Sequence, residues 1–551
     1  MAYEQSLAAA QEAVDAGRWR AARESFGLAL ADRETAEALA GMGTALWWLG
    51  EIRGSLRCRE RAYTLWRRER RLGEAAALAL EIAVCYLSNL DNEAAARGWT
   101  ARARRAAAVS DDRGLEPWVW LMEGYVCEDH ERKRDLLSRA LEAARTSGDA
   151  DLELVAMADL GLALVSRGAV DDGLALLDEA MAGTFGGECR RLETVVWNSC
   201  SMLAACSLLQ DHKRATEWCG AADAFTETYG CPFLQARCRA HYGRVLVATG
   251  NWDQAERELD SALSMASDLG REPRAEALTA LADLRLRQGQ ADRAEQLLEG
   301  ASDGVHRSVV AARVLMARGH ADRAAAVLEA QADVLDERDT AFLSVAAALA
   351  EAYLASGDVP AADRAAQALE RAGANLRHAQ AGALCARATG LVAGAMGRRD
   401  EAARLLRQAA TAFEADGLPF EAATSLLDLA GVVLAANPAL AAVEAGRALT
   451  TLDLLGARHD VGRAASLLRA LGVPPKPGPR GAGLLSRREQ DVLDLVKSGL
   501  TNPQIAAQLY ISPKTVAHHV SSILTKLNLT SRAEAAAYAV RVGTKAAGAS
   551  R

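Results

Sequence analysis

The chain has 551 residues, half of them hydrophobic, with ten cysteines and a formal net charge of −8 at pH 7. It contains no run of about 18 uncharged apolar residues and no charged-then-apolar leader, so the sequence predicts a soluble cytoplasmic protein without a membrane partner. The cysteines have no framework spacing, which fits a reducing compartment where they act as small apolar residues.

Residues 1–470 carry a recurring pattern of small residues. In each clear copy a glycine is followed by Gly after seven residues, then by Gly or Ala, Leu and Ala at steps of five, four and three. The three clear copies begin at Gly161, Gly243 and Gly390, and weaker copies place the second glycine at Gly17, Gly289, Gly319 and Gly357.

This pattern resembles tetratricopeptide repeats, in which small residues let two antiparallel helices approach closely and a glycine turns the chain between them. Most intervals are about 40 residues rather than the usual 34, which indicates slightly longer helices or loops. No alternating strand pattern of useful length interrupts them. We therefore predict an all-α fold with about eleven helical hairpins in a solenoid superhelix over residues 1–470.

A proline- and glycine-rich segment follows at residues 471–483 and holds four of the chain's twelve prolines. Such a segment cannot be helical, because proline lacks the amide hydrogen and clashes with the preceding turn. We predict a semi-extended linker that spans roughly 40 Å at about 3 Å per residue.

Four helix-start signals follow within residues 484–545. Ser486 with Glu489, and Ser531 with Glu534, form capping boxes. Thr501 or Asn502 caps the second helix, and Ser512 followed by Pro513 opens the third. The short second helix and the longer third one predict a helix-turn-helix. The expected apolar stripes are Val492, Leu493, Leu495 and Val496; Ile505, Ala506 and Leu509; and Val516, Val520, Ile523, Leu524 and Leu527.

The third helix has the chemistry of a DNA reader. No acidic residue occurs from Ser512 to Leu529, and the helix amino terminus offers amide hydrogens and a positive dipole end to a phosphate. The short side chains of Ala517 and Ser521 would let the backbone enter the major groove, where His518 would reach a base edge. The alternative is an ordinary solvated helix face in an all-helical domain.

Residues 484–545 resemble a LuxR/FixJ-type helix-turn-helix. The matching residues are Arg488 and Glu489; Asn502, Ile505 and Ala506; Ile511, Ser512, Thr515 and Val516; Lys526 and Leu527; and Arg532 and Ala535. The family usually has Lys after its Thr-Val pair, where this chain has Ala517, so the base preference does not carry over. Residues 546–551 form a tail.

The resemblance implies double-stranded promoter DNA as a partner and pairing of two chains on inverted half-sites through the fourth helix, Ser531–Val542. The residues assigned to DNA binding are Ser512, Lys514, Thr515, Ala517, His518, Ser521, Lys526 and Arg532. The residues assigned to dimerisation are Ser531, Ala535, Tyr538 and Val542.

Two further groups of residues each allow two interpretations. Tyr63, Trp66 and Trp99 are surrounded by arginines at 53–71 and 97–105. This group would hold an acidic or aromatic peptide or a small anion, or it would be core aromatics under a solvated face. Five cysteines lie within 200–238, with His212 and His241 nearby. They would bind a metal or sense oxidation, or they would only pack.

The sequence lacks a phosphate-binding loop, a receiver-like β/α pattern and any recognisable catalytic triad. We therefore expect no enzymatic activity, no cofactor and no metal. The predicted function is a one-component transcription regulator whose repeat domain senses a peptide, protein or small molecule, with RNA polymerase as a further partner. The alternative is a repeat scaffold or peptide receptor that uses the helix-turn-helix for protein docking.

Charge divides the chain and leads to a testable prediction. Residues 484–551 hold nine Lys or Arg and four acidic residues, and Lys476 and Arg480 bring the net charge from 471 onward to +7, so residues 1–470 carry −15. The opposite charges would hold the C-terminal domain against the repeat domain until a ligand releases it.

Deleting residues 1–470 is then expected to raise the affinity of the C-terminal domain for the same DNA at matched salt in a binding titration. An unchanged affinity would rule out docking, and a lower one would show that the repeat domain supplies dimerisation.

Overall fold

A computed structural model describes residues 2–266, 271–376, 380–474, 492–493, 495–497, 500–509, 513–526, 532 and 534–536. Throughout these ranges the regular structure is helical and no strand occurs, which confirms the predicted all-α class. The chain divides into two compact units. The first comprises Met1–Leu286 and Gln290–Leu418, and the second comprises Arg287–Gly289 and Pro419–Arg551. The domain boundaries expected from the sequence remain predictions.

The first unit is built from eleven successive helical hairpins in its described residues. The repeat pattern predicted about eleven over residues 1–470, and three further helices follow between residues 419 and 470. Consecutive helices pair as α1 with α2, α3 with α4, and so on to α22. A π turn, Cys85–Asn89, continues α5. The helices are α1 Ala2–Asp15, α2 Trp19–Asp32, α3 Ala36–Trp48, α4 Ile52–Arg68, α5 Leu72–Val84, α6 Glu93–Ala107, α7 Leu115–Tyr125, α8 His130–Ser147, α9 Ala150–Ser166, α10 Val170–Phe185, α11 Leu192–Leu209, α12 His212–Tyr229, α13 Pro232–Ala248, α14 Trp252–Met265, α15 Arg271–Arg287, α16 Ala291–Leu298, α17 Val305–Ala317, α18 Ala321–Ala332, α19 Phe342–Ser356, α20 Val359–Asn375, α21 Ala381–Ala395 and α22 Arg399–Ala415.

Small residues set the spacing of the paired helices. A Cβ atom built on Gly161 in α9 would lie 2.7 Å from the carbonyl oxygen of Gly173 in α10, so the two backbones touch at this crossing. In the other clear copies the glycine packs against a leucine side chain: a Cβ atom would lie 2.6 Å from Leu259 at Gly243 and 3.0 Å from Leu406 at Gly390. The repeat pattern in the sequence therefore marks the helix crossings.

The turns within the hairpins use the glycine that follows the first helix. Gly168 and Gly250 have φ values of +82° and +83°, which a residue with a side chain adopts only at a cost. In the Gly168 turn, the amide of Ala169 donates to the Leu164 carbonyl oxygen at 3.0 Å and satisfies one of the last orphan acceptors of α9. The second helix of the pair can then start at once.

Hairpins far apart in sequence also contact one another inside the first unit. The Trp19 indole donates to the Tyr229 carbonyl oxygen at 2.6 Å, and the Thr340 amide donates to the Ser166 carbonyl oxygen at 3.0 Å. Arg167 forms an ion pair with Asp339 at 2.7 Å. These contacts join residues roughly 170 to 210 positions apart, so hairpins that are not neighbours in sequence also hold this unit together.

The second unit contains three helices that extend the helical pattern and, further along the chain, the helix-turn-helix. The first three are α23 Pro419–Val433, α24 Pro438–Leu455 and α25 Arg458–Ala470. The other two complete helices are α26 Asn502–Leu509 and α27 Pro513–Lys526. Residues 492–493, 495–497, 532 and 534–536 are also helical. The predicted linker, 471–483, lies outside the described residues from 475 onward.

Two helical stretches are long and apolar enough to cross a membrane by length and composition alone. They are Leu72–Asn89 and Leu192–Leu209, of which 50% and 61% are buried inside the protein.

The crossing of α9 and α10 gives a prediction about stability. Gly161→Ala is expected to destabilise the protein by about 1–3 kcal/mol, because the new methyl group would overlap the Gly173 backbone. A thermal melt of the full chain measures the effect. The matched control is Gly220→Ala in α12, where nothing lies within 4 Å, and this change is expected to stabilise the helix by up to about 1 kcal/mol. Equal melting temperatures for the two variants would contradict the close crossing.

Candidate nucleic-acid interface

The C-terminal helices form a small core of their own. Its buried residues come from all four helical segments, and Leu495, Leu500, Val520, Leu524 and Ala536 pack around them half-buried. The apolar stripes predicted from the sequence are therefore confirmed, apart from Leu509 and Leu527, whose side chains are outside the described part of the chain. The buried residues are Val492, Leu493, Val496, Ile505, Ala506, Val516, Ile523 and Ala535.

Thr501 and Gln504 fix the start of α26. The Gln504 Oε1 atom accepts a hydrogen bond from the Thr501 amide at 2.8 Å and another from the Thr501 hydroxyl at 2.8 Å. This is the reaching-back half of a capping box, which satisfies a backbone donor that a helix start leaves open. Pro503 lies in the first turn, where its missing amide hydrogen costs nothing.

The third helix, α27, buries one side and exposes the other. Val516 and Ile523 are 0% and 1% exposed, whereas Thr515, Ala517 and Ser521 are exposed. The helix contains no acidic residue. Its outward side therefore offers hydroxyl groups and a methyl group without a negative charge, which suits an approach to phosphates and base edges.

The structure describes the side-chain exposure of some of the predicted DNA-binding residues and not of others. Thr515, Ala517 and Ser521 lie on the exposed side of α27. Lys514, His518 and Lys526 also belong to α27, and their assignment rests on the sequence. Ser512 lies outside the described residues, as do Ser531, Tyr538 and Val542, which were assigned to dimerisation.

Arg532 is engaged within the domain. Its Nη1 atom donates to Asn502 Oδ1 at 2.8 Å, and its Nη2 atom donates to the Leu500 carbonyl oxygen. The forked guanidinium thus ties the last helical segment to the start of α26. The resemblance had assigned Arg532 to DNA binding. Its hydrogen bond to Asn502 could not be foreseen, because contacts between residues about 30 positions apart leave no trace in a local sequence pattern. These contacts favour a structural role.

Ala535 packs inward as well. It is 1% exposed and belongs to the domain core. Its side chain is therefore not on the surface, where it would contact a second chain. The dimerisation role expected of the fourth helix remains a prediction that rests on the sequence.

The aromatic residues near the amino terminus are part of the core. Tyr63 and Trp66 are buried, and the half-buried Trp99 meets Tyr63 edge-on with ring centroids 4.9 Å apart. In the same core, Trp19 stacks on Trp48 with ring centroids 4.6 Å apart. These contacts support the core interpretation of Tyr63, Trp66 and Trp99. Most of the nearby arginines are exposed, and one of them, Arg102, lies over Trp99 at 5.1 Å.

The cysteine group also packs. Cys206, Cys219, Cys231 and Cys238 are buried, and burial raises the pKa of the Cys231 thiol to about 12. A protonated, buried thiol is a poor nucleophile and a poor metal ligand. In the described part of the chain, no three His, Cys, Asp or Glu side chains are grouped so that they could hold a metal ion.

The contacts of Arg532 give a prediction. Arg532→Lys is expected to destabilise the C-terminal domain by about 1–3 kcal/mol, because lysine cannot form the fork that joins Asn502 and Leu500. Hydrogen exchange of the full chain would show faster exchange at residues 500–509, with the amides of α9 as the internal control. Unchanged exchange together with a smaller salt dependence of DNA binding would instead assign Arg532 to a phosphate.

Comparison with known proteins shows which family the C-terminal domain resembles. Residues 483–539 match the model of the bacterial regulatory proteins of the luxR family. Over 57 residues the chain is 51% identical to the uncharacterized transcriptional regulatory protein YhcZ of Bacillus subtilis, covering 10% of this chain and 27% of that protein. The transcriptional regulatory protein LiaR of the same organism is 44% identical over 57 residues, again 10% and 27% of the two chains.

A putative HTH-type transcriptional regulator of Mycobacterium bovis is 41% identical over 76 residues, which cover 14% of this chain and 8% of that protein. The match thus spans about a quarter or less of the length of each of these relatives. Among solved structures, the APC/C hetero-tetramer Cut9-Hcn1 gives a TM-score of 0.41 at 13% identity, covering 86% of this chain and 96% of that chain. Yeast Tom70 gives 0.33 at 14% identity, covering 78% and 96%. Residues 483–539 therefore form a helix-turn-helix domain of the luxR family of bacterial regulatory proteins.

Proposed function

We propose that this protein is a sequence-specific DNA-binding transcription regulator, in which α27 enters the major groove of promoter DNA. The observation that carries the proposal is the two-sided character of α27: Val516 and Ile523 anchor it in the core, while Thr515, Ala517 and Ser521 face outward on a helix without acidic residues. A helix held in this way presents its outer face as one rigid surface.

The luxR-family domain supports the same function. The relatives matched over this region are named transcriptional regulatory proteins. Two chains would pair on the inverted half-sites of an operator, and the fourth helix would supply the contact. In this arrangement the spacing of the half-sites reports the geometry of the dimer.

The repeat domain is the sensor in this proposal. Stacked hairpins offer a long surface on which successive helices present side chains in register. A ligand or protein partner bound there would change the availability of the DNA-binding domain or its contact with RNA polymerase. The protein would act in the cytoplasm, by binding and without catalysis.

The direct test is selection of genomic fragments by the purified full-length chain at near-physiological salt. A truncation that ends at Gly483 serves as the control. We expect the full-length chain alone to enrich fragments that share an inverted repeat. Equal enrichment by the truncation would place DNA binding outside α27, and no enrichment by either chain would contradict the proposal under these conditions.

Two substitutions on α27 separate affinity from base preference. Lys514→Ala is expected to weaken binding to all sequences and to reduce the slope of log affinity against log salt by about one. His518→Ala is expected to change the preferred base at one position of each half-site. Binding titrations over a salt series measure the first effect, and fragment selection measures the second. The control is Lys213→Ala on the exposed surface of α12, which should change neither. An unchanged base preference in His518→Ala would move base reading to another residue.

A further inference from the structure

The second helices of two consecutive hairpins, α4 and α6, are rich in arginine. Residues 52–71, which are α4 and the turn after it, hold eight arginines and two glutamates, a net charge of +6. In α6, four arginines and one glutamate give +3. By contrast α10, the second helix of a later hairpin, has four acidic residues and no basic one. The repeat itself therefore does not require arginine at these places.

Two of these arginines, one from each helix, meet above the aromatic core. The Arg67 guanidinium of α4 lies 6.0 Å from the centre of the Tyr63 ring, and the Arg102 guanidinium of α6 lies 5.8 Å from the same point. The two positive groups are therefore less than about 12 Å apart. Arg102 also lies 5.1 Å from the centre of the Trp99 ring, which meets Tyr63 edge-on at 4.9 Å. Contact between buried rings thus sets the distance between the two arginines.

The exposed arginines of the two helices are not balanced by acidic side chains. The only acidic residue of α4, Glu60, accepts a hydrogen bond from the Tyr86 hydroxyl at 2.7 Å, and that of α6, Glu93, pairs with Arg97 at 3.1 Å. Six exposed arginines form no ion pair with any residue that the structure describes. These six make up the arginine surface: Arg53, Arg57, Arg67 and Arg68 on α4, and Arg102 and Arg105 on α6.

The stacked arginines are prepared for binding. Exposed arginines are usually solvated and mobile, but a guanidinium that lies over an aromatic ring is restrained, while the N–H groups at its edge stay free to donate. Such a fork binds a carboxylate through two parallel hydrogen bonds. Because Arg67 and Arg102 are already restrained, they lose less side-chain freedom when a partner binds.

We propose that the arginine surface binds an extended acidic segment of a partner protein. Acidic residues two to four positions apart in an extended chain are separated by roughly 7 to 13 Å. Two carboxylates of one segment therefore reach Arg67 and Arg102 together. The other four arginines surround this pair with positive charge, and Arg53 and Arg57, four residues apart on one face of α4, repel each other until a negative segment lies beside them.

Charge favours a short acidic segment over nucleic acid at this surface. A DNA duplex carries a negative charge about every 1.7 Å along its axis and extends beyond two helices. Residues 1–470 carry −15 in total, although α4 and α6 are strongly positive, so the hairpins around the arginine surface would repel a duplex. A segment of a few residues needs to contact only α4 and α6.

This surface deepens the proposed function, on which it rests for its meaning, because an acidic segment bound there would be the signal that the repeat domain receives. The proposal names the class of partner and the two helices that bind it. Peptide binding is measured without DNA, so the failure of peptide binding and the failure of DNA binding are separate results.

The experiment titrates the full-length chain into a short fluorescent peptide in which glutamate alternates with serine. Fluorescence anisotropy at near-physiological salt measures binding. The reference peptide has glutamine in place of glutamate. We expect the glutamate peptide to bind saturably and the glutamine peptide not to bind. No binding of the glutamate peptide, or equal binding of both peptides, would overturn the proposal.

A double variant tests the assignment of the surface. Arg67→Gln together with Arg102→Gln is expected to weaken peptide binding at least about tenfold, because two charged hydrogen-bonding partners are lost. Its DNA binding should stay unchanged. The matched control, Arg257→Gln together with Arg404→Gln, removes the same charge from exposed positions on α14 and α22 and should leave peptide binding unchanged. An equal loss in both double variants would show non-specific attraction and overturn the proposal.

A second double variant, Arg57→Gln together with Arg105→Gln, keeps the stacked pair and tests the surface even if the first variant fails to fold. It is expected to weaken peptide binding by a few-fold, since these exposed charges act through solvent. Unchanged peptide binding in the folded variants would place the peptide elsewhere, for example on the basic C-terminal domain, and overturn the proposal. Weaker binding of a duplex without an inverted repeat, with peptide binding unchanged, would assign the surface to nucleic acid.

Discussion

The architecture depends on how closely two helix backbones can approach. At the crossing of α9 and α10, glycine meets glycine, and even a methyl group on Gly161 would overlap a carbonyl oxygen. Close packing recurs at Gly243 and Gly390, each of which contacts the side chain of a fully buried leucine in the paired helix. Since interiors are close-packed, the spacing within each of these hairpins is fixed and not adjustable. Helices that follow one another in the array therefore keep a constant register.

That register explains how charged residues from separate hairpins come together. His241 and Arg244 on α13 are far from Glu276 on α15 in sequence, yet His241 Nδ1 lies 2.8 Å from Glu276 Oε1. Burial raises the pKa of Glu276, but the charges of His241, Arg237 and Arg244 outweigh it, so this largely buried carboxylate stays ionised.

Features that repeat with the helical period, or that mark the end of a helix, can be predicted from the sequence. The core residues Val516 and Ile523 follow from their spacing, and the turn glycines follow from their place after each first helix. Contacts between distant segments leave no such mark. The bond from Trp19 to the Tyr229 carbonyl oxygen spans 210 positions, and the fork of Arg532 around Asn502 spans 30. The structural role of Arg532 could not be inferred before the helices were placed side by side.

A contact that holds the C-terminal domain together and a contact with DNA should respond differently to salt, for a physical reason. The outer face of α27 is exposed, and a helix that binds DNA there releases counterions, so its affinity falls steeply as salt rises. Arg532 is half-buried and donates hydrogen bonds to Asn502 and to the Leu500 carbonyl oxygen, and mobile ions screen such a group less than they screen a charge at the surface. Loss of the Arg532 contacts would therefore act at low and high salt alike, whereas loss of a phosphate contact on α27 would matter less as salt rises.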